Sequence, residues 1–142
     1  MMQAKEIMGM LRQRHPFILI DRIIEIDPGR SCTALKNVTL TEPCFQGHFP
    51  DDPVFPGVYI IEAMAQAGGV IFYAPGTKRH LVLAAVDKAK FVREVLPGDT
   101  MILSCALDKS FGAFAKVSIT VTVADAIVAK GEITYGFRQA RE

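Results

Sequence analysis

Residues 58–73, running from Val58 through Glu62 and Gln66 to Tyr73, are apolar almost all the way round a helical wheel. A helix lying on a surface keeps one polar face, so this composition predicts a helix buried on every side. Pro56 stands where a first helical turn accepts proline, because the N–H it lacks would have no partner there. The rest of the chain must therefore supply something that wraps this helix.

The flanking segments read as strands. After a short helical start, Phe17 to Asp27 is an Ile-rich strand, Asp27-Pro28-Gly29-Arg30 a turn, and Ser31 to Leu40 the second arm of a hairpin. Beyond the helix come strand-like runs at Leu81 to Phe91, Met101 to Lys109, Ala113 to Val123 and Ile127 to Gln139, punctuated by turns such as Pro97-Gly98-Asp99. The clearest alternates Lys116, Ser118, Thr120 and Thr122 with Val117, Ile119, Val121 and Val123, the period of a sheet with one wet and one dry face. The predicted fold is α+β, a curved antiparallel sheet wrapped around one long buried central helix. With 142 residues, half of them hydrophobic, and no linker, repeat or low-complexity segment, residues 1–142 are expected to form a single domain.

Charge and motifs narrow the function classes. Sixteen Lys and Arg against fifteen Asp and Glu leave a formal charge of +1, so no global field points to nucleic acid as a partner. The one continuous apolar stretch near the N-terminus, Phe17 to Ile20, is too short for a signal-peptide core or a membrane span, which predicts a cytoplasmic protein. Cys32, Cys44 and Cys105 form no CxxC pair and are odd in number, as expected of reduced packing thiols. There is no HExxH or Cys/His cluster for a metal, no GxSxG elbow, no GxGxxG and no GxxxxGK[ST], so neither metal nor cofactor is expected.

The candidate chemistry lies in and just before the helix. Between residues 58 and 67 Glu62 is the only charged residue, and Gln66, four residues on, shares its face. A carboxyl among aliphatic side chains is penalised for ionising, which suits a general acid; a buried glutamate kept for packing or a subunit contact is the open alternative. The segment 42–57 is long for a loop in a small domain, and within Gln46-Gly47-His48-Phe49-Pro50 it holds a histidine, a residue type that exchanges protons near neutrality. By itself His48 could equally be an ordinary loop residue, and His15 and His80 carry less weight still. Phe55-Pro56-Gly57-Val58 would present free backbone N–H groups at a helix start, able to polarise a carbonyl oxygen or simply to begin a helix. A base, an acid and an oxyanion-stabilising helix end together suit removal of a proton alpha to a thioester carbonyl with expulsion of a beta-hydroxyl.

At this point the chain resembles a known family, the (3R)-hydroxyacyl-[acyl-carrier-protein] dehydratases of fatty acid biosynthesis, FabZ type. The resemblance covers nearly the whole chain and rests on Arg14 to Arg22, Lys36-Asn37-Val38, Glu42 to Pro50, Phe55 to Val58, Glu62 to Gln66, and Asp87, Lys90, Phe91 and Pro97-Gly98-Asp99. It implies the hot-dog fold. It implies that His48 takes the C2 proton and protonated Glu62 donates to the departing hydroxyl, giving a trans-2-enoyl thioester and water. It further implies that backbone N–H groups at Gly57 and Val58 hold the thioester carbonyl and that Gln66 orients the glutamate. His48 and Glu62 would meet across a homodimer interface, in a homohexamer built as a trimer of dimers. The substrate would ride on the phosphopantetheine of an acidic acyl carrier protein, making Lys78, Arg79, Lys90 and Arg93 candidate docking residues.

Departures from the family pattern fall where substrate choice would be set. Val82 stands where members often carry a gating Tyr, the connection Ala74 to His80 is short, and Glu94 replaces a frequent Pro. The isomerase branch of the resemblance carries Asp where this chain has Glu62, which favours dehydration alone. Two alternatives stay open on the sequence: a hot-dog acyl thioesterase, and a non-catalytic acyl-carrier-binding module.

Overall fold

The computed structural model describes residues 1–76 and 79–141. Helix α1 spans Ala4–Met10 and helix α2 spans Gly57–Gly69; the strands are β1 (Arg22–Asp27), β2 (Ser31–Asn37), β3 (Arg79–Phe91), β4 (Thr100–Phe111), β5 (Phe114–Val123) and β6 (Ala126–Gln139). The strands form one sheet in the order β1-β2-β4-β5-β6-β3, with every pairing antiparallel. This is the sheet-around-a-helix arrangement of the hot-dog fold.

Alternation decides which face of the sheet meets α2. Val117, Ile119 and Val121 of β5 are buried, as are Met101, Leu103 and Cys105 of β4 and Cys32 and Ala34 of β2. They pack with Ile60, Ala63, Met64 and Ala67 of α2 in one apolar cluster, while Ser118 on the other face of β5 is exposed. The turn into β4 is closed by Gly98, whose φ of +100° suits only glycine comfortably, and by the Asp99 carboxylate, which accepts a 2.9 Å bond from the Leu96 amide. At the C-terminal end of α2 the helix comes unusually close to the sheet. A Cβ on Gly68 would stand 2.5 Å from the Tyr135 hydroxyl, which itself donates a 2.6 Å bond to the Ala65 carbonyl.

Three expectations are corrected. The strand read over Phe17 to Asp27 begins only at Arg22, because the Phe17 carbonyl and Leu19 amide bond to the Gln66 side chain instead of to a neighbouring strand. The helix read to Tyr73 ends at Gly69 and continues as one 3₁₀ turn over Val70–Phe72. Most consequentially, α2 is not buried on every side. Val58 is 70% exposed, and Ile61, Glu62 and Ala65 are only partly buried, so an apolar stripe at helical spacing stays open. Strand β3 tells the same story at the sheet's edge, where Val82, Leu83, Val86 and Phe91 are all exposed. Among the described residues no helix is long and apolar enough to cross a membrane.

Candidate active site

Glu62 sits on the open stripe of α2, and its position is set by Gln66 one turn later. The Gln66 amide is buried and fully used: its Nε2 donates to Glu62 Oε1 at 3.0 Å and to the Phe17 carbonyl at 2.8 Å, and its oxygen accepts the Leu19 amide at 2.8 Å. One glutamine thus anchors the segment before β1 to the helix and holds the carboxyl. The other Glu62 oxygen has no hydrogen bond among the described residues.

The hydrogen bond that fixes the His48 ring comes from the backbone. Its Nδ1 lies 2.8 Å from the Val54 carbonyl, and because a carbonyl can only accept, Nδ1 carries a proton, which leaves Nε2 as the nitrogen free to exchange one. The loop around it is stitched by His48 N–H to Cys44 O at 3.0 Å and Val54 N–H to His48 O at 3.1 Å, while Phe49 stacks on the imidazole at 4.1 Å. Edge-on contacts of Phe55 with Phe45 and with Tyr59 press this loop onto the start of α2. There the Pro56 carbonyl already accepts from Tyr59 and Ile60. The amides of Gly57 and Val58 precede these bonds and have no acceptor within the helix. The Phe91 ring would lie 3.4 Å from a Cβ at position 57, so Gly57 also admits a close neighbour.

The structure brings Glu62 and Gln66 together, while His48 sits in the loop that Phe55, Phe45 and Tyr59 hold against the start of α2, where Gly57 and Val58 lie. Glu62 and Gln66 open into a cavity of about 390 Å³ running beside α2 under Leu81 and Leu83 of β3 and Tyr135 and Phe137 of β6. His48 does not line it. Val82, in the place of the expected gating residue, does not line it either.

The docking candidates separate as well. Lys78 lies outside the described residues. Arg79 lines the cavity, whereas Lys90 lies eleven residues along β3 (90 − 79), roughly 30 Å away, and Arg93 bonds the Val123 carbonyl beyond it.

Tyr135 is a lining residue that sequence reasoning missed. Its hydroxyl is pushed well above the ordinary tyrosine value, chiefly by burial and then by nearby Cys105, Glu62 and Cys32. Nothing in its local pattern distinguishes it from a core residue of β6. Burial pushes the Cys32 thiol up to about 12 and that of Cys105 well above its usual value, so both are protonated packing groups.

A family model described as a FabA-like domain matches residues 11–132. A 3-hydroxyacyl-[acyl-carrier-protein] dehydratase FabZ from Pasteurella multocida is 43% identical over 143 aligned positions, covering 97% of this chain and 93% of that protein. One of the same description from Polynucleobacter asymbioticus is 42% identical, covering 94% and 91%. Among solved structures, the dehydratase heterocomplex ApeI:P from Xenorhabdus doucetiae superposes with a TM-score of 0.76 at 15% identity, covering 96% of this chain and 91% of that one. The last likeness shows the fold alone.

Proposed function

Because this chain belongs to the FabA-like family, among the 3-hydroxyacyl-[acyl-carrier-protein] dehydratases called FabZ, we propose that it removes water from 3-hydroxyacyl chains carried on acyl carrier protein, with His48 as base and Glu62 as acid. The residues 1–142 act as one dehydratase domain in this reading. The product is the trans-2-enoyl thioester, a step of fatty acid biosynthesis carried out in the cytoplasm. Neither the thioesterase nor the non-catalytic alternative accounts for relatives of this identity and coverage that are named dehydratases.

The observation that carries the assignment of roles is the tautomer of His48. With Nδ1 donating to Val54 O, Nε2 is the atom that takes the C2 proton, and the imidazolium so formed keeps its Nδ1 bond. The thioester carbonyl, where negative charge develops, meets the amides of Gly57 and Val58 at the positive end of α2. Glu62 gives its proton to the leaving hydroxyl, and the Gln66 amide keeps the carboxyl oriented as its charge changes.

His48 and Glu62 of one chain do not share a cavity, so the reading includes a homodimer whose sites each combine one copy's base with the other's acid. Two features support it. The stripe of Val58, Ile61 and Ala65 around Glu62 needs an apolar cover, and the thirteen-residue β3 is a long edge with apolar side chains and one unpaired ladder face. A two-fold pairing of two β3 edges runs antiparallel. It would bring Lys90 and Arg93 of one copy toward Arg79 of the other, joining the docking candidates into one surface for an acidic carrier. A homohexamer of three such dimers extends the same reading.

The test is enoyl-thioester formation by wild type, His48→Ala, Glu62→Gln and an equal mixture of the two variants after subunit exchange. Each variant alone should lose roughly 10²–10⁴-fold in turnover. In the mixture half the dimers are mixed and carry one intact site of two, so activity should return to about one quarter of wild type. Variants that remain active alone would remove the assigned roles, and a mixture that stays inactive would remove the shared site.

A further inference from the structure

The cavity that starts at Glu62 does not end against hydrocarbon. Along α2 and the 3₁₀ turn after it the cavity runs from Glu62 to Phe72 and Tyr73, roughly 15 Å by helical rise, and its far lining is Arg12, Gln13, Arg79 and His80. The Nδ1 atom of His80 is buried there with no hydrogen-bond partner. Directly across the sheet from His80, at the end of β6, stands Arg138. Arg12 follows α1, so three separate segments of the chain converge on this end.

Among the described residues the ion pairs are Lys36 with Glu42 and Lys88 with Glu132, and neither involves Arg12 or Arg138. The His80 ring is held below the ordinary histidine value by burial first and then by Arg12 and Arg138. The Arg79 guanidinium lies over the Phe137 ring, 4.3 Å from its centre, at the same end of the cavity. An alkyl chain ending here would leave a buried nitrogen unsatisfied and set a methyl group against cations. A negatively charged oxygen group would accept from both.

Resting on the dehydratase reading above, we infer that the far end of the Glu62 cavity is a subsite for an anionic group carried by the substrate, bound by Arg12 and His80 with Arg138 behind them. The anion is either a carboxylate at the distal end of the acyl chain or the phosphate of the arm that delivers the thioester. Both place a charged oxygen group well away from the reacting carbons, and both are held by charge-assisted hydrogen bonds.

Three 3-hydroxyacyl thioesters separate the possibilities: a methyl-terminated chain on N-acetylcysteamine, the same thioester with a terminal carboxylate, and the methyl-terminated chain on phosphopantetheine. In the full-length wild type, at least one anionic probe should show a KM ten or more times below that of the neutral probe at similar kcat. The ratio of neutral to anionic KM, measured within each variant, should fall toward one in Arg12→Ala and in His80→Gln. A carboxylate advantage identifies the acyl tail as the carrier of the charge; a phosphopantetheine advantage identifies the arm. Equal KM values for all three probes in wild type, or an advantage that persists in both variants, would overturn the inference. Should the wild type turn over none of them, the dehydratase reading fails, and calorimetric dissociation constants of the three saturated thioesters decide the subsite by the same ratios.

Discussion

The two sides of α2 differ in how complete they are. Toward β2, β4 and β5 the helix meets a closed apolar layer, where Met64, Met101, Leu103, Val117 and Ile119 are all essentially inaccessible. On the other side Val58, Ile61, Glu62 and Ala65 lie partly open, beside a β3 edge whose Leu83 is 50% exposed and whose Phe91 is 49% exposed. The closed side is finished within one chain and holds the fold together. The open side carries Glu62, the cavity and the unpaired edge, so the site we propose falls where the monomer is incomplete. In the proposed homodimer such a site would exclude water only on assembly, tying activity to association.

That division can be broken from either side. The largest effect is expected on the open side, where a charge on the β3 edge, Leu83→Glu or Val86→Asp, should shift sedimentation to monomer and remove turnover by about two orders of magnitude or more, as loss of one acid–base partner does. The circular dichroism of the folded chain should change little, since neither side chain belongs to the core. Unchanged assembly and turnover in both variants would sink the shared site. On the closed side Leu103→Ala should cost about 2–5 kcal/mol in a chemical-denaturation curve by leaving a cavity, while the folded fraction keeps its turnover per site.

Smaller still is the effect at the close approach of helix and sheet. Gly68→Ala sets a methyl group against the Tyr135 hydroxyl and should destabilise by about 1–3 kcal/mol. Tyr135→Phe should lose about 1 kcal/mol with the bond to Ala65 O. Removing that hydroxyl makes room for the methyl, so the double variant should be more stable than the sum of the two losses, and strict additivity in a double-mutant cycle would show that the two groups do not compete for the same space.

Local chemistry made much of the fold legible. The alternation of 116–123 reappears as the buried and open faces of β5, and Pro97-Gly98-Asp99 forms the turn its composition announces. The pairing of Glu62 with Gln66 was readable because residues four apart on a helix are neighbours. Elsewhere the signal was ambiguous. Phe17 to Asp21 has the composition of a strand, yet its Leu19 amide and Phe17 carbonyl are claimed by Gln66, forty-seven and forty-nine residues away. Uniform apolarity in α2 could not distinguish a face buried by the chain's own sheet from one awaiting another surface, because both require the same side chains.

What the sequence determined by itself is therefore the set of elements and the residue types for chemistry: one apolar helix, strands with a period of two, a histidine in a long loop and a lone acid on the helix. These depend on neighbours within a turn or a strand step, and such neighbours are written in order along the chain. Only the tertiary structure decided that His48 Nδ1 faces Val54 O, that Arg12, His80 and Arg138 converge at the cavity's far end, and that His48 stays out of the cavity Glu62 occupies. Each of those depends on how distant segments pack, and packing distances between such segments are not encoded in any local pattern.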